Sequence, residues 1–251
     1  MREWDDQIII LRLGLFHEAD MWLRVLSRER GLLTLFAFGG AKSKHRFCGC
    51  LDKFNTLQCR IRSGRAAYLC LQEASLLRAP RNLRQDWRRM GIAANCILFM
   101  EAMHIDGDSS KATFTLMEDL RKSLEDGRAE YRLTTFFFRL NISSLLGFAP
   151  DLEKCGICGK AEEQEYFFVP EEGRIFCASC LRSLEPVKTR HGIKISWEGL
   201  RRLREVRFSL PSEWRENDLS ENDKRACSRL IDCFIRYHLG LEWGNGRFRS
   251  I

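Results

Sequence analysis

Apolar positions between residues 8 and 77 fall into five short runs: IIILRLGLF (8–16), WLRVLSRE (22–29), LLTLFAF (32–38), NTLQCRIR (55–62) and AAYLCLQEASLL (66–77). Gly31, Gly39-Gly40 and Ser63-Gly64 punctuate them. None of the runs carries a helical period, and short apolar runs bounded by turn residues predict strands. Five such strands in succession predict a small closed barrel of the OB type, an architecture whose open face takes single-stranded nucleic acid.

Beyond Pro80 the period becomes helical. Arg81–Met103 reads as one helix capped by Asn82, with Trp87, Met90, Ala94, Ile97 and Glu101 at three-to-four spacing. Ser110–Asp126 places Phe114, Met117, Leu120 and Leu124 on one face, and Gly127 ends it. Tyr131–Leu146 turns Leu133, Phe136, Phe137 and Leu140 inward and closes at Gly147 and Pro150. Two more helices are expected at Ser196–Val206 and Ser220–Leu239, the second opening on the capping sequence S-E-N-D and ending at Gly240. The predicted fold is therefore α+β: an OB-type domain over residues 1–79, then an α-helical domain over 80–251. The C-terminal WGNGRFRSI is consistent with a strand, a tail or a DNA contact.

One segment breaks the helical pattern. CGICGKAEEQEYFFVPEEGRIFCASC holds two Cys-x-x-Cys pairs, Cys155 with Cys158 and Cys177 with Cys180. That spacing lets four thiolates converge on one tetrahedral ion, and zinc suits it best. Gly156 and Gly159 let the first pair turn tightly, while Tyr166–Val169 and Arg174–Phe176 read as a hairpin around Pro170–Gly173. A thioredoxin-like site needs one such pair in a βαβ unit, so a redox role fits poorly; free core cysteines or an iron–sulfur cluster are the alternatives. Four thiolates leave no open coordination position, so Zn2+ here is expected to staple a lobe at about residues 152–185 and to catalyse nothing. The other seven cysteines lie among apolar residues and read mostly as small buried hydrophobes.

Charge then distinguishes the two domains. The chain of 251 residues carries 41 Lys and Arg against 34 Asp and Glu, a formal +7. Ten of the basic residues lie between Arg24 and Arg65 against only Glu29 and Asp52, so the excess is local to the predicted barrel. In LQCRIR the period of two turns Leu57, Cys59 and Ile61 one way and Gln58, Arg60 and Arg62 the other. The loop GGAKSKHRF adds Lys42, Lys44, Arg46 and Phe47. Cations beside an aromatic ring suit a single strand, because counterion release supplies affinity and stacking adds about 1–3 kcal/mol per base. Solvated edge strands also carry Lys and Arg, which is the plainer account. No run approaches the roughly 20 apolar residues of a membrane span, and MREWDDQIIILRLG has acids where a secretory signal has Lys or Arg. A cytosolic protein with reduced thiols is expected.

Three stretches taken in order, IIILRLGLFHEADMWLRVLSRERGLLTLFAFGGAKSKHRF, the barrel-closing strand, and FFFRLNISSLLGFAPDLEKCGICGK, resemble the RecO family of bacterial DNA repair and recombination mediators. The likeness runs from about residue 7 to the last long helix. It implies an OB-fold, a helical domain and, in many members, a zinc lobe. It also implies binding of single- and double-stranded DNA, annealing of complementary strands, and help in loading RecA onto DNA coated by single-stranded-DNA-binding protein. RecR and the acidic C-terminal tail of the coating protein are the implied partners, and no catalytic residue comes with the family. The positions on which its DNA contacts map are Lys42, Lys44 and Arg46 in the loop, with Arg24, Arg60, Arg62 and Arg65 on strands.

Rival chemistries find less support. PDLEK (150–154) puts its carboxylates too close in sequence for a nuclease metal site, and HEAD (17–20) has Met21 next, which leaves it a turn instead of half a zinc helix. There is no Walker loop and no G-x-S-x-G elbow. His45, His104, His191 and His238 read as surface or satisfied core residues, with His45 the one placed to touch phosphate. The chain is therefore expected not to be an enzyme. A zinc-ribbon regulator reading duplex DNA is the alternative; it requires a recognition helix in the major groove, whereas the basic cluster lies in strands and a loop.

Overall fold

The computed structural model describes residues 2–64, 68–127, 132–161, 163–183 and 192–251. It divides into two compact units, one holding residues up to Met90 together with His104–Asp126, the other Gly91–Met103 with Gly127–Ile251.

In the first unit β1 (Glu3–Leu15), β2 (Met21–Ser27), β3 (Gly31–Ala37), β4 (Thr56–Ser63) and β5 (Leu69–Arg78) close a barrel in the order β1-β2-β3-β5-β4. All pairs are antiparallel except β3 with β5. The five expected strands are present, each within a few residues of its apolar run. Alternation along each strand fills the barrel with Ile8, Ile10, Leu23, Val25, Leu35, Leu57, Cys59, Ile61 and Leu71. Each fully buried aliphatic side chain of this kind stabilises by about 1.5–3 kcal/mol. HEAD is the turn between β1 and β2, closed by the Phe16 amide donating to the Asp20 carbonyl at 3.1 Å.

Asn82 does not open one long helix. α1 (Asn82–Gln85) is a single turn, Asp86 is extended, and α2 (Trp87–Ala102) starts anew with the Asp86 carboxylate accepting from the amides of Arg88 and Arg89. The restart rotates the expected face. Trp87 is 77% exposed, and the buried positions of α2 are Ala93, Cys96, Ile97, Phe99 and Met100. α3 (Gly107–Glu125) begins earlier than its apolar period, because Asp106 caps it. It buries the four expected residues and lies against β2 and β3. Gly31 is needed at this contact: its φ is +73°, and a Cβ would stand 2.4 Å from the Ile105 carbonyl oxygen.

The second unit contains α4 (Thr134–Leu145), the hairpin β6 (Glu165–Val169) and β7 (Arg174–Cys177), the helical turn α5 (Ala178–Leu181), β8 (Ile193–Ser196), α6 (Trp197–Val206) and α7 (Glu221–Leu239). Ser196 and Ser220 cap α6 and α7, and Gly240 ends α7 in the left-handed region. The expected hairpin forms, and β8 adds a third strand on its β6 edge. The C-terminal residues form another hairpin, β9 (Leu241–Gly244) with β10 (Arg247–Ser250), turning at Asn245-Gly246, where both φ angles are positive. Tyr131, expected to begin α4, and His191 lie outside the described residues.

Candidate nucleic-acid interface and metal centre

The basic loop leaves β3 at Gly39, which adopts φ +68° and donates its amide to Asp20 Oδ1 at 2.6 Å. The Ala41 amide donates to the Ala19 carbonyl, so the loop is tied to the β1–β2 turn. Lys42, Lys44, His45 and Arg46 are exposed. Among the described residues no carboxylate pairs with Lys42 or Lys44, which leaves two whole positive charges facing water. Arg46 donates to the Phe38 carbonyl and lies over the Phe47 ring at 5.0 Å.

Phe47 is not available to a base. It is 0% exposed and part of the barrel core. The chain turns back immediately after it, with the Cys50 amide donating to the Phe47 carbonyl, and the apolar ring takes the interior position.

Arg60 is also corrected. It does point outward, as the alternation of β4 requires, but the barrel register sets it between Asp5 of β1 and Glu73 of β5. Its guanidinium lies 3.0 Å from Asp5 and 3.2 Å from Glu73, which neutralises it locally. Arg62 is half-buried opposite Glu3, with its Nε enclosed and without a hydrogen-bond acceptor among the described residues. Arg65 lies outside the described residues. Arg24 is on β2, donating to Thr34 Oγ1 at 3.2 Å and paired in register with Arg12. The positive charge is thus uneven around the barrel: Arg60 is balanced by acids on the β4 side, while Lys42 and Lys44 of the loop have no carboxylate partner among the described residues.

Beside this loop lie rings that, unlike Phe47, stay outside the barrel core. Phe16, Phe38 and Tyr68 are 37%, 43% and 40% exposed and cluster edge-to-face with Phe36. A signal was present in the sequence. With Leu35 and Ala37 inward, the period of two turns Phe36 and Phe38 outward.

In the second unit the four predicted cysteines converge, their sulfur atoms all within 4.8 Å of one another. Cys158 and Cys177 are 3.8 Å apart. A tetrahedron with metal–sulfur bonds of about 2.3 Å has edges of about 3.8 Å, so the spacing fits one ion and is far too long for disulfides. The first knuckle turns through Gly159 (φ +71°), whose amide donates to the Cys155 carbonyl. Gly156 lies where a Cβ would be 2.7 Å from Arg174. The second knuckle is the end of β7 running into α5, and the Cys177 amide donates to Cys155 Sγ. Burial alone would push the Cys177 thiol up, yet Ser179 and the Cys180 amide hold its thiolate and pull it down to about 6. Cys180 is pushed up to about 12, chiefly by its hydrogen bond to Cys177. Crowded thiols share the remaining protons in this way, and a divalent cation displaces those protons. Of the other seven cysteines, Cys50, Cys59, Cys70, Cys96 and Cys227 are buried as expected, while Cys233 is half-buried and Cys48 exposed.

No helix among the described residues is long and apolar enough to cross a membrane. Comparison with known proteins matches the family model Recombination protein O N terminal over residues 1–79 and Recombination protein O C terminal over residues 84–245. DNA repair protein RecO of Nitratidesulfovibrio vulgaris is 40% identical over 255 residues, spanning 99% of this chain and 100% of that protein. The protein of the same name from Lawsonia intracellularis is 38% identical over 256 residues with the same coverage. That of Myxococcus xanthus is 28% identical over 242 residues, 96% of this chain and 94% of its own. Matched in order through both parts by one family's models, and from end to end by relatives bearing its name, the chain belongs to the RecO family.

Proposed function

We propose that this protein is a DNA repair and recombination mediator. It binds single- and double-stranded DNA on the barrel, anneals complementary strands, and assists loading of RecA onto DNA coated by single-stranded-DNA-binding protein. The observation that carries this reading is the basic loop, tied to the β1–β2 turn and presenting Lys42 and Lys44 without acidic partners among the described residues. Exposed, uncompensated cations on a rigid edge track phosphates, whatever the sequence of the bases. Arg24 and Arg46 extend the contact along the same side. Cys155, Cys158, Cys177 and Cys180 hold Zn2+ as a structural staple. RecR and the acidic tail of the coating protein are the partners, and no catalytic step is assigned to any residue.

The duplex-regulator alternative draws little support from α6. Arg201, Arg202, Arg204 and Arg207, on and beside α6, are paired with Glu205, Asp218 and Glu153 and are not displayed for base edges. Strand annealing of complementary oligonucleotides, bare and coated, across a salt series tests the proposal. Annealing should be accelerated, fall steeply with salt and vary little with sequence. Preference for one duplex by about 10³-fold, on the scale of sequence-specific binders, would overturn it.

A further inference from the structure

We infer that the outward face of α7, continued by the β9–β10 ribbon, is a second phosphate-binding surface and takes the backbone of duplex DNA. This rests on the DNA-binding reading above and adds to the barrel a site on the other unit. At 3.6 residues per turn, Arg225, Arg229 and Arg236 fall within about 40° of one another around α7. All three are exposed, opposite the stripe of Cys227, Leu230, Ile231, Phe234 and Ile235 that the helix buries. Among the described residues no carboxylate pairs with Arg225 or Arg229, whereas Lys224 on the flank of the helix is held by Glu221 at 3.2 Å. Asp232 shares the arginine face, but its carboxylate accepts from the buried Arg139 at 2.7 Å, so its charge is already balanced. Arg236 reaches Glu242 of β9 at 3.7 Å, which joins the helix row to the ribbon. Trp243 and Phe248 are opposite each other in the ribbon and share a face, where Phe248 meets Phe99 at 5.1 Å and the Arg139 guanidinium at 5.0 Å. That anchoring turns Arg247 and Arg249 to the other face, both exposed and, among the described residues, without an ion pair. Glu242 is the one acid between 241 and 251.

A solvated helix face ordinarily mixes both signs at i,i+4 spacing, whereas Arg225 and Arg229 at that spacing repel. A helix that keeps such a repulsion on its outermost face is arranged for an anion. The shape of the row selects which one. Arg225 to Arg236 spans about 16 Å at about 1.5 Å per residue, and each strand of a duplex presents a phosphate about every 3.4 Å of axis, so a stiff row of cations meets a stiff row of charges. The only ring between Arg225 and Arg236 is Phe234, which is buried, and Trp243 is turned against Phe248. Single strands draw affinity from stacking on free rings, and the arginine row has none within it. Guanidinium groups take phosphate oxygens through two parallel N–H donors and leave base edges unread, so binding here is indifferent to sequence. Duplex is the product of annealing, and this surface gives it a place apart from strands held on the barrel.

The test uses full-length protein carrying Arg225→Gln/Arg229→Gln, Arg247→Gln/Arg249→Gln, or all four changes. Anisotropy titrations over a salt series employ two duplexes of unrelated sequence, oligo(dT) of equal length and a labelled oligo(Glu) peptide. Each phosphate contact on a duplex contributes about 0.9 to the slope of log K against log salt, so each double variant should flatten it by about 1.8 and lose about 10- to 60-fold on both duplexes at 0.1 M salt. Oligo(dT) affinity should change by less than about 3-fold. Arg225→Lys/Arg229→Lys, which keeps the charge, should retain most of the slope. Removing two like charges at i,i+4 should leave the melting temperature no lower than the parent's. Unchanged duplex affinity and slope in the quadruple variant would overturn the face, as would equal loss on oligo(dT) or loss on one duplex alone. Weaker binding of oligo(Glu) with duplex affinity intact would make this a protein-docking face and also overturn it. Where Lys42→Gln/Lys44→Gln weakens oligo(dT) while the quadruple variant binds duplex like the parent, the DNA reading stands and this face alone falls; a parent that binds neither duplex nor oligo(dT) sinks both.

Discussion

Replacing Lys42 and Lys44 together by Gln separates phosphate tracking from general basicity. Neither lysine has a carboxylate partner among the described residues, so each is expected to displace a whole counterion. Arg60 already faces Asp5 at 3.0 Å and Glu73 at 3.2 Å and should displace almost none. For single strands each phosphate contact contributes about 0.7 to the slope of log K against log salt, so the double variant should flatten the slope by about 1.4. At 0.1 M salt the same relation makes each contact worth about 5-fold, hence about 25-fold for the pair. Between 50 and 200 mM the parent should lose about 7-fold more affinity than the variant. Arg60→Gln should leave the slope nearly as it was and change stability little, because exposed ion pairs are screened by water. The assay is anisotropy of a labelled oligonucleotide over a salt series, with circular dichroism to verify folding. A slope unchanged in Lys42→Gln/Lys44→Gln but flattened in Arg60→Gln would refute the reasoning.

Three other outcomes are expected. Cys158→Ala or prolonged chelation should remove a metal present at about one per chain by elemental analysis. Because such ions supply on the order of 10 kcal/mol of folding free energy, the amides of β6 and β7 should then lose hydrogen-exchange protection; intact protection in metal-free protein would contradict a structural ion. Burial alone would raise the Glu118 carboxyl, but Thr56, Arg121 and Arg78 hold it below its ordinary value of 4.5. Its contribution is therefore complete above that value and lost as pH falls through the lowered folded pKa. Glu118→Gln should cost about 1.5–3 kcal/mol at pH 7 in urea unfolding, with a gap that narrows as pH falls below 4.5; a widening gap would reverse the sign. Arg139 is 4% exposed and bonds to Asp232 at 2.7 Å and Asn95 at 2.8 Å. Asp232→Ala should cost about 1.5–3 kcal/mol, and Arg139→Met added to it should recover part of the loss, because a buried charge without its partner is worse than neither.

Local periods were enough to place the β-strands of the barrel, the helix starts at Ser196 and Ser220, and the two cysteine knuckles, since each depends on residues only a few positions apart. Alternation in β4 correctly separated Leu57, Cys59 and Ile61 from Arg60 and Arg62. The same alternation in β3 already turned Phe36 and Phe38 to the outside. Other features depended on partners distant along the chain. Arg60 is neutralised by Asp5, 55 residues away, because barrel closure brings β1 beside β4. Phe47 enters the core because an interior space lies beside its loop, and an apolar ring gains more from that space than from water. Asp86 resets α2 by capping it, which turns Trp87 outward. Spacing along a strand or helix reports which way a side chain faces; what it meets there is settled when the elements close on one another, and for a charge or a ring that meeting decides whether any ligand can reach it.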